Sequence, residues 1–293
     1  MTNLNRVYWG GLRRTYRSGV LGPWLRRKKQ RISAMLRVKN EARYLAPALE
    51  SIVGLVHEVV VIDNLSEDQT PQIAAGFAER FPGKVRLHRY PHAVARVGAE
   101  NRALIESEEG RRSPALLSNY YNWCLARCTG DFILKWDGDM VATEQFAGEL
   151  AEFQRGPWLV FKFRGANLHP DRLHLVGVPP KNQDAIQEQV TGKFTVGNWT
   201  APFTDYEPRL FPRYQAIYNN AFWWCEALKS PFLDWQELQL KALEPCYVHL
   251  KYCKDNPYEN FSRDFAEAIG REISRVGPAL APHLARTVAR WKL

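Results

Sequence analysis

Several features that would assign this 293-residue sequence to a class at once are missing from it. No stretch approaches the roughly 18 uninterrupted apolar residues of a transmembrane helix, and the first residues lack the apolar core and cleavage site of a secretory signal. The five cysteines include no CxxC pair, which argues against a zinc ribbon and favours a reducing compartment. A metal site that includes Cys124 and Cys128, one helical turn apart, stays open as the lesser alternative to free buried thiols. We therefore expect a protein that is soluble or that rests on a membrane without crossing it.

Acidic residues are absent from positions 1–31, which carry nine of the 40 Lys and Arg side chains. The remaining chain holds 31 basic and 31 acidic residues, so the net charge of +9 belongs to this arm. Apolar side chains such as Tyr8, Trp9 and Trp24 are interleaved with the charges. This mixture is typical of a segment that lies on an anionic lipid surface. A disordered basic tail is the alternative, whereas nucleic-acid binding would gain nothing from so many apolar residues, and no nucleic-acid partner is expected.

Strands and helices alternate between residues 32 and 142. Apolar or alternating runs predict strands at 32–38, 59–62, 85–90 and 132–136, and helical spacing predicts helices at 40–55, 73–81 and 118–128. This order predicts an α/β fold with a Rossmann-like, mostly parallel sheet and helices on both of its faces. Residues 91–113 are predicted to form a polar loop or a mobile helix. The chain from 258 to about 276 is predicted to be helical, and a second basic amphipathic tail follows it.

Polar residues stand directly after the predicted strands, at the sheet edge where such folds bind ligands. Glu41 follows the first strand, Asp63 and Asn64 follow the second, and Asp137-Gly138-Asp139 follows the strand at 132–136. Two carboxylates separated by a glycine, straight after a buried strand, suit a divalent cation with oxygen ligands such as Mg²⁺ or Mn²⁺. A solvated acidic turn is the alternative interpretation of the triplet.

Taken together, these motifs resemble those of the family 2 glycosyltransferases, which have the GT-A fold. The resemblance covers residues 32–142 and is carried by the strand and Asn-Glu pair at 32–41, the strand–acid–Ser–x–Asp–x–Thr run at 60–70, Asn122, Gly130-Asp131-Phe132-Ile133 and the acidic triplet. Arg37 departs from the pattern, since many members have proline there, and so does Asn64, where many have a second aspartate. The resemblance implies a GT-A sheet with a mixed acceptor-side subdomain, and an inverting transfer of a sugar from a nucleotide-diphosphate sugar.

The same resemblance implies roles for single residues. The nucleotide-sugar pocket would be lined by Arg37, Val38, Glu41, Asp63, Asn64, Asn122 and Asp137, with a UDP-sugar as the preferred donor. A Mn²⁺ or Mg²⁺ ion would be held by Asp137, Asp139 and His249. For Asp63 the alternative is a strand-end Asx-turn, and for His249 it is a structural histidine.

The second half of the chain resembles a subset of the family in which a basic Arg-Leu-Phe strand precedes the catalytic glutamate. Arg209-Leu210-Phe211 and the later segment Phe222-Trp223-Trp224-Cys225-Glu226 fit this pattern, so Glu226 is the expected general base. Its aromatic neighbours would raise its pKa toward the value that a base needs. Asp205 and Glu207 are the alternative candidates for the base. The alternative interpretation of Glu226 itself is a surface carboxylate without a catalytic role.

We expect four segments: a basic amphipathic arm at 1–31, a nucleotide-sugar-binding half at 32–142, an acceptor-binding and catalytic half at 143–257, and a helical basic tail at 258–293. The expected acceptor is a saccharide or lipid-linked glycan in surface polysaccharide or lipopolysaccharide biosynthesis, at the cytoplasmic face of the inner membrane. A nucleotidyltransferase is the first alternative, although no glycine-rich phosphate loop follows the first strand. A non-catalytic membrane scaffold is the second, although it would have no use for the acidic triplet.

Deletion of residues 1–30 should weaken binding to anionic vesicles while turnover of a soluble acceptor analogue survives, because the arm carries the excess positive charge. Vesicle sedimentation with anionic and with neutral lipid measures this effect. Equal binding of the truncated and full-length chains to anionic vesicles would contradict this role of the arm. Loss of binding to neutral vesicles to the same extent as to anionic vesicles would contradict it as well.

Overall fold

A seven-stranded sheet lies at the centre of the protein in the computed structural model, which describes residues 30–177, 207–220, 227–257, 259–263, 266 and 275–293. The basic arm up to residue 29, together with Asp205 and Glu226, lies outside the described residues. The strands are β1 (Ile32–Val38), β2 (Glu58–Asp63), β3 (Val85–Arg89), β4 (Phe132–Asp137), β5 (Met140–Ala142), β6 (Val160–Phe163), β7 (Gly165–Asn167), β8 (His174–Gly177), β9 (Glu207–Pro212), β10 (Ile217–Asn219), β11 (Ala227–Lys229), β12 (Gln239–Lys241), β13 (Tyr247–His249) and β14 (Arg275–Ala279). The helices are α1 (Leu45–Val53), α2 (Thr70–Arg80), α3 (Ala99–Glu106), α4 (Glu108–Arg112), α5 (Leu117–Leu125), α6 (Glu144–Arg155) and α7 (Pro282–Trp291).

The central sheet has the order β12-β6-β9-β4-β1-β2-β3. The pairs β1–β2, β1–β4, β2–β3 and β12–β6 are parallel, and β9 runs antiparallel to both of its neighbours, β4 and β6. The four strands predicted from the first half of the chain are thus present and adjacent. A smaller sheet, β5-β13-β7, lies beyond the end of β4.

Helices cover both faces of the sheet because the buried strands carry apolar side chains on both sides. On one face Leu36, Val61 and Leu134 belong to a core cluster that includes residues of α1, α2 and α6. On the other face Met35 and Ile133 belong to a second cluster with Tyr120 and Cys124 of α5. The predicted α/β class, with a mostly parallel sheet between two helical layers, is confirmed.

Several predicted element bounds need correction. The helix predicted at 40–55 spans only Leu45–Val53, because the backbone of 40–42 turns to bond side chains of the next loop: Asn40 has φ 53°, and its N–H donates to Ser66. Residues 91–113 contain two short helices, α3 and α4, and the Ser107 Oγ between them accepts from Gly110 N. The helix predicted at 118–128 already ends at Leu125.

The prediction of a helix that continues to about 276 is wrong at its end. Arg275 and Val276 lie in β14, which pairs antiparallel with β8 and places Val276 opposite Val176. Helix α7 then follows and buries Leu284 beside Val248 and Leu250, so this basic amphipathic segment packs against the small sheet. Within the described residues no helix is long and apolar enough to cross a bilayer.

The four cysteines in the described part of the chain are free and buried. Burial raises the pKa of Cys124 and of Cys128 to about 12. No further His, Cys, Asp or Glu of the described residues joins this pair in a group that could hold a metal ion, so the alternative of a metal site at Cys124 and Cys128 is not supported.

Glu58 is a buried, charged residue at the start of β2, at the end of the sheet opposite to the carboxyl ends of the parallel strands. Its carboxylate accepts hydrogen bonds from Ser33 Oγ (2.5 Å), Thr129 N (2.6 Å) and Arg86 Nη2 (2.7 Å). Burial alone would raise the pKa of Glu58, but the hydrogen bonds from Ser33, Thr129 and Arg86 lower it to about 2. This one side chain therefore connects β1, β2, β3 and the turn before β4.

Glu58→Gln should lower the free energy of unfolding at pH 7 by about 1–3 kcal/mol, because donors that now meet a charge would meet a neutral amide. The pKa of Glu58 is lower in the folded chain than its ordinary value of 4.5, so its stabilising effect is complete above that value. The difference between the two proteins should therefore shrink as the pH falls from about 5 to about 2.

Denaturant titrations at several pH values measure this difference. Glu50→Gln is the matched control, because Glu50 pairs with Arg80 at the surface, where both side chains are more than a third exposed. The control should change stability by less than about 0.5 kcal/mol. An effect of Glu58→Gln that stays constant with pH would contradict the assignment of the shifted pKa.

Candidate functional site

The polar residues predicted to lie together meet at the carboxyl edge of β1, β2 and β4. In the parallel register Val38 is opposite Asp63, and Arg37 is opposite Asp137. The strand ends are therefore level, and the residues that follow them share one edge of the sheet.

Asp137 lies between two arginines. Its Oδ1 is 2.9 Å from Arg37 Nη2 of the neighbouring strand, and its Oδ2 is 3.3 Å from Arg209 Nη1 of the antiparallel strand β9. The Arg37 guanidinium also stacks 3.6 Å from the centre of the Tyr121 ring. Burial raises the pKa of Asp137, but Arg209 and Arg37 outweigh it and lower the pKa to about 2. The first carboxylate of the triplet is thus ionised and held by side chains of two strands.

Asp139 is buried and meets a different pair of side chains. Its Oδ1 lies 3.3 Å from His249 Nε2, and its Oδ2 lies 2.6 Å from Lys254 Nζ. The antiparallel pairing of β5 with β13, which places Met140 opposite His249, brings these groups together. Leu250 N also donates to the Asp139 carbonyl at 2.9 Å. Burial opposes ionisation, but Lys254 and His249 hold the pKa of Asp139 well below its usual range.

Glu41 completes this group. Its Oε1 is 2.5 Å from Lys254 Nζ, and its Oε2 is buried with no hydrogen-bond partner among the described residues. Gly138 packs against it so closely that an added Cβ would lie 2.9 Å from both Glu41 Cγ and Val38 Cγ1. Burial, followed by the charge of Asp139, raises the pKa of Glu41 well above its ordinary value. The glycine of the triplet is therefore required by the close approach of Val38 and Glu41.

His249 is oriented by Asn167, its neighbour in the parallel β13–β7 register. His249 Nδ1 lies 3.0 Å from Asn167 Oδ1, and His249 Nε2 lies 3.3 Å from Asp139 Oδ1. A neutral histidine that donates from Nδ1 to Asn167 would direct its Nε2 lone pair toward the Asp139 carboxylate, the arrangement of a histidine that binds a metal. A divalent cation with adjacent ligands at about 2.1 Å separates those ligands by about 3 Å, which fits the observed 3.3 Å.

The described residues contain no cluster of three His, Cys, Asp or Glu side chains that could hold a metal ion. Asp139 and His249 are brought together, whereas Asp137 faces the two arginines instead. A cation at this position would therefore take two protein ligands and complete its coordination from substrate oxygens and water, which is usual for Mg²⁺ beside phosphates. The residues present fit such an ion.

Asp63 and Asn64 form the turn after β2. Both are buried; Asp63 Oδ1 accepts from Ser66 N at 3.3 Å, and Asn64 Nδ2 donates to His92 O at 2.7 Å. The turn includes Leu65 at φ 55°. Asp63 therefore caps the end of β2 through a backbone N–H three residues on, and a donor-binding role for this residue stays a prediction.

Asn122 has its amide committed to another segment. Its Nδ2 donates to Tyr218 O and its Oδ1 accepts from Tyr218 N, both at 2.8 Å. Asn122 therefore holds α5 against β10, and its predicted contact with a nucleotide stays untested. Glu207 lies in β9, whereas Glu226 and Asp205 lie outside the described residues.

The sequence alone predicts no role for two residues of the site. Arg209 belongs to the Arg-Leu-Phe motif, and its detectable signal is its position in a basic strand between apolar residues. Lys254 carried no signal, because a lysine five positions after a histidine in a polar turn is ordinary. Only the fold of the turn after β13 places it against two acids.

Comparison with known proteins matches residues 33–107, from β1 through α3, to the family described as glycosyl transferase family 2. The predicted resemblance to this family is confirmed over that segment. EpsE of Bacillus subtilis (strain 168), which carries the name of a glycosyltransferase, is 28% identical over 112 residues. The alignment covers 37% of this chain and 33% of EpsE, so the chain spans a third of that relative's length.

Solved structures give more distant likenesses. TarS 1-349 of S. aureus matches with a TM-score of 0.43 and 14% identity, covering 89% of this chain and 70% of that one. Glucosyl-3-phosphoglycerate synthase from Mycobacterium tuberculosis, in complex with Mn²⁺, uridine-diphosphate and phosphoglyceric acid, matches with a TM-score of 0.34 and 16% identity, covering 63% and 56%. The fold assignment therefore stands on the strand order and register of this chain.

Proposed function

We propose that this chain is a metal-dependent, inverting glycosyltransferase that moves a sugar from a nucleotide-diphosphate sugar to a hydroxyl group of a saccharide or lipid-linked glycan. The observation that supports it best is the pair Asp139 and His249, 3.3 Å apart at the carboxyl edge of the sheet. The match of residues 33–107 to family 2 supports the reaction class.

The charge balance of the site supports a cation that binds together with the donor. Asp137 pairs with Arg37 and Arg209, and Lys254 bridges Asp139 and Glu41. A diphosphate that enters this site gains little from cations that already have acidic partners. A bound Mn²⁺ or Mg²⁺ would supply that charge and neutralise the leaving diphosphate, with Asp139 and His249 as its protein ligands.

The donor and the catalytic base belong to different halves of the chain in this proposal. Val38, Glu41, Asp63, Asn64 and Asp137 bind the nucleotide side of the donor, a UDP-sugar, where β1, β2 and β4 end. Glu226 takes the proton from the acceptor hydroxyl as its oxygen attacks the anomeric carbon, and the nucleoside diphosphate leaves from the opposite face. The sequence pattern around Glu226, not its position in space, supports this assignment.

The acceptor and the location follow from the charge of the arm. We propose that the basic and aromatic residues of 1–31 hold the enzyme on an anionic membrane, at the cytoplasmic face where lipid-linked glycans for the cell surface are extended. The buried Asp139 and Glu41 argue against a non-catalytic scaffold, because burial of two neighbouring acidic side chains is costly.

Asp139→Asn should abolish the Mn²⁺-dependent stabilisation by UDP, because the amide removes the charge that faces the cation. Thermal-shift titrations with UDP, with and without Mn²⁺, measure the effect. Asp255→Asn is the matched control: Asp255 is adjacent to Lys254 in sequence but fully exposed, and its variant should respond as the parent does. Unchanged binding of Mn²⁺ and UDP by Asp139→Asn would refute the metal assignment.

Glu226→Gln should lower sugar transfer by about 10²–10⁴-fold, the usual contribution of a general base, with donor binding intact. Asp205→Asn and Glu207→Gln, made in parallel, are the comparison. Transfer is measured with a soluble acceptor analogue. If either comparison variant loses transfer while Glu226→Gln stays active, the base is misassigned; if all three stay active, the acceptor site lies elsewhere.

A further inference from the structure

We propose that Lys254 is a positioning residue that pairs with Asp139 and Glu41 before the donor binds, and that it must leave Asp139 when a divalent cation and a diphosphate enter together. This inference rests on the proposed function and names a control on it. The ammonium would make metal binding conditional on the presence of the diphosphate.

The geometry places Lys254 at the same carboxylate as the candidate metal site. Its Nζ lies 2.6 Å from Asp139 Oδ2, while Asp139 Oδ1 faces His249 Nε2 at 3.3 Å. The same Nζ lies 2.5 Å from Glu41 Oε1. The ammonium thus bridges two acids from separate loops, and the position for a divalent cation adjoins it on the shared carboxylate.

A divalent cation on Asp139 and an ammonium on the same carboxylate would repel each other in a partly dry site, where charges are weakly screened. Without either cation, the buried Asp139 carboxylate would lose a positive partner, which is costly. Asp139 Oδ2 therefore needs a positive partner, and binding of the metal exchanges the Lys254 ammonium for the divalent cation.

The backbone around Lys254 is anchored, but its side chain has a route out. Cys253 O accepts from Tyr44 Oη at 2.9 Å, and Leu250 N donates to the Asp139 carbonyl, so the turn is held to the residue before α1 and to the triplet. The lysine side chain has a flexible four-carbon stem and about a fifth of it is exposed. The ammonium can therefore swing from the carboxylates while the turn stays in place.

The surroundings of Glu41 favour exchange of the Lys254 ammonium for a divalent cation over a permanent ion pair of Lys254 with Asp139 and Glu41. One of its oxygens, Oε2, is buried without a hydrogen-bond partner among the described residues. A carboxylate with one unsatisfied oxygen and one oxygen on a movable ammonium is poised for a ligand that the described chain does not supply. A diphosphate would give the displaced ammonium new anionic partners, so the two ligands should bind with positive coupling.

Mn²⁺ binding without nucleotide tests the exchange directly, by the loss of the electron paramagnetic resonance signal of free Mn²⁺. Lys254→Ala should bind Mn²⁺ alone at least about fivefold more tightly than the parent, because no ammonium competes for Asp139. The factor by which UDP increases Mn²⁺ affinity should fall in the variant by a similar amount. Lys254→Gln, which keeps the length of the side chain without its charge, should behave in the same way, and Lys254→Arg should resemble the parent.

Lys251→Ala is the matched control, because it removes the same charge three residues earlier from a side chain that lies 4.0 Å from the centre of the Phe261 ring. It should leave Mn²⁺ affinity unchanged, and circular dichroism establishes that each variant is folded. If the folded Lys254→Ala and Lys254→Gln variants bind Mn²⁺ alone no more tightly than the parent, the exchange is refuted. The proposed function fails separately, if the parent binds no Mn²⁺ with UDP or if Asp139→Asn binds both unchanged.

Discussion

Buried and half-buried carboxylates at the ends of central strands need positive partners, and much of the architecture around the site meets that need. The β1–β4 register supplies Arg37 to Asp137, and the reversed strand β9 supplies Arg209 from the other side. The small sheet brings His249 and Lys254 to Asp139. A sheet of the same shape with these cations removed would leave uncompensated charge in its interior, which is strongly destabilising.

The sequence predicted the parts of the site that depend on local order. Asp63, Asp137 and Asp139 follow apolar strands, and parallel strands linked by helices end at one edge, so their proximity follows from patterns along the chain. The partners of these acids could not be found in that way. Arg37 interrupts an apolar run, and its role emerges only from the register that places it opposite Asp137.

Other differences arise because contacts between distant segments override local signals. The motif around Asn122 predicts contact with a ligand, yet the Nδ2 and Oδ1 atoms of its amide both bond the backbone of Tyr218, 96 residues later. The sequence pattern predicts that a helix continues to Val276. The chain there forms a β-strand instead, because β8 provides an antiparallel partner. The polar stretch 91–113 lacks apolar periodicity, and its short helices depend on the Ser107 cap and on neighbouring segments such as Ser262, whose N–H donates to Val97 O.

The antiparallel strand β9 has a consequence for how the chain reaches its fold. It pairs with both β4 and β6, although about 70 residues separate it from β4 in the sequence. During synthesis β1 to β4 can pair with one another while one side of β4, with its apolar Phe132-Ile133-Leu134, has no strand beside it. An open apolar edge can pair with another chain, so the interval before β9 emerges is the period of greatest risk of aggregation. The strand that supplies Arg209 is thus also the one that covers the open side of β4 during folding.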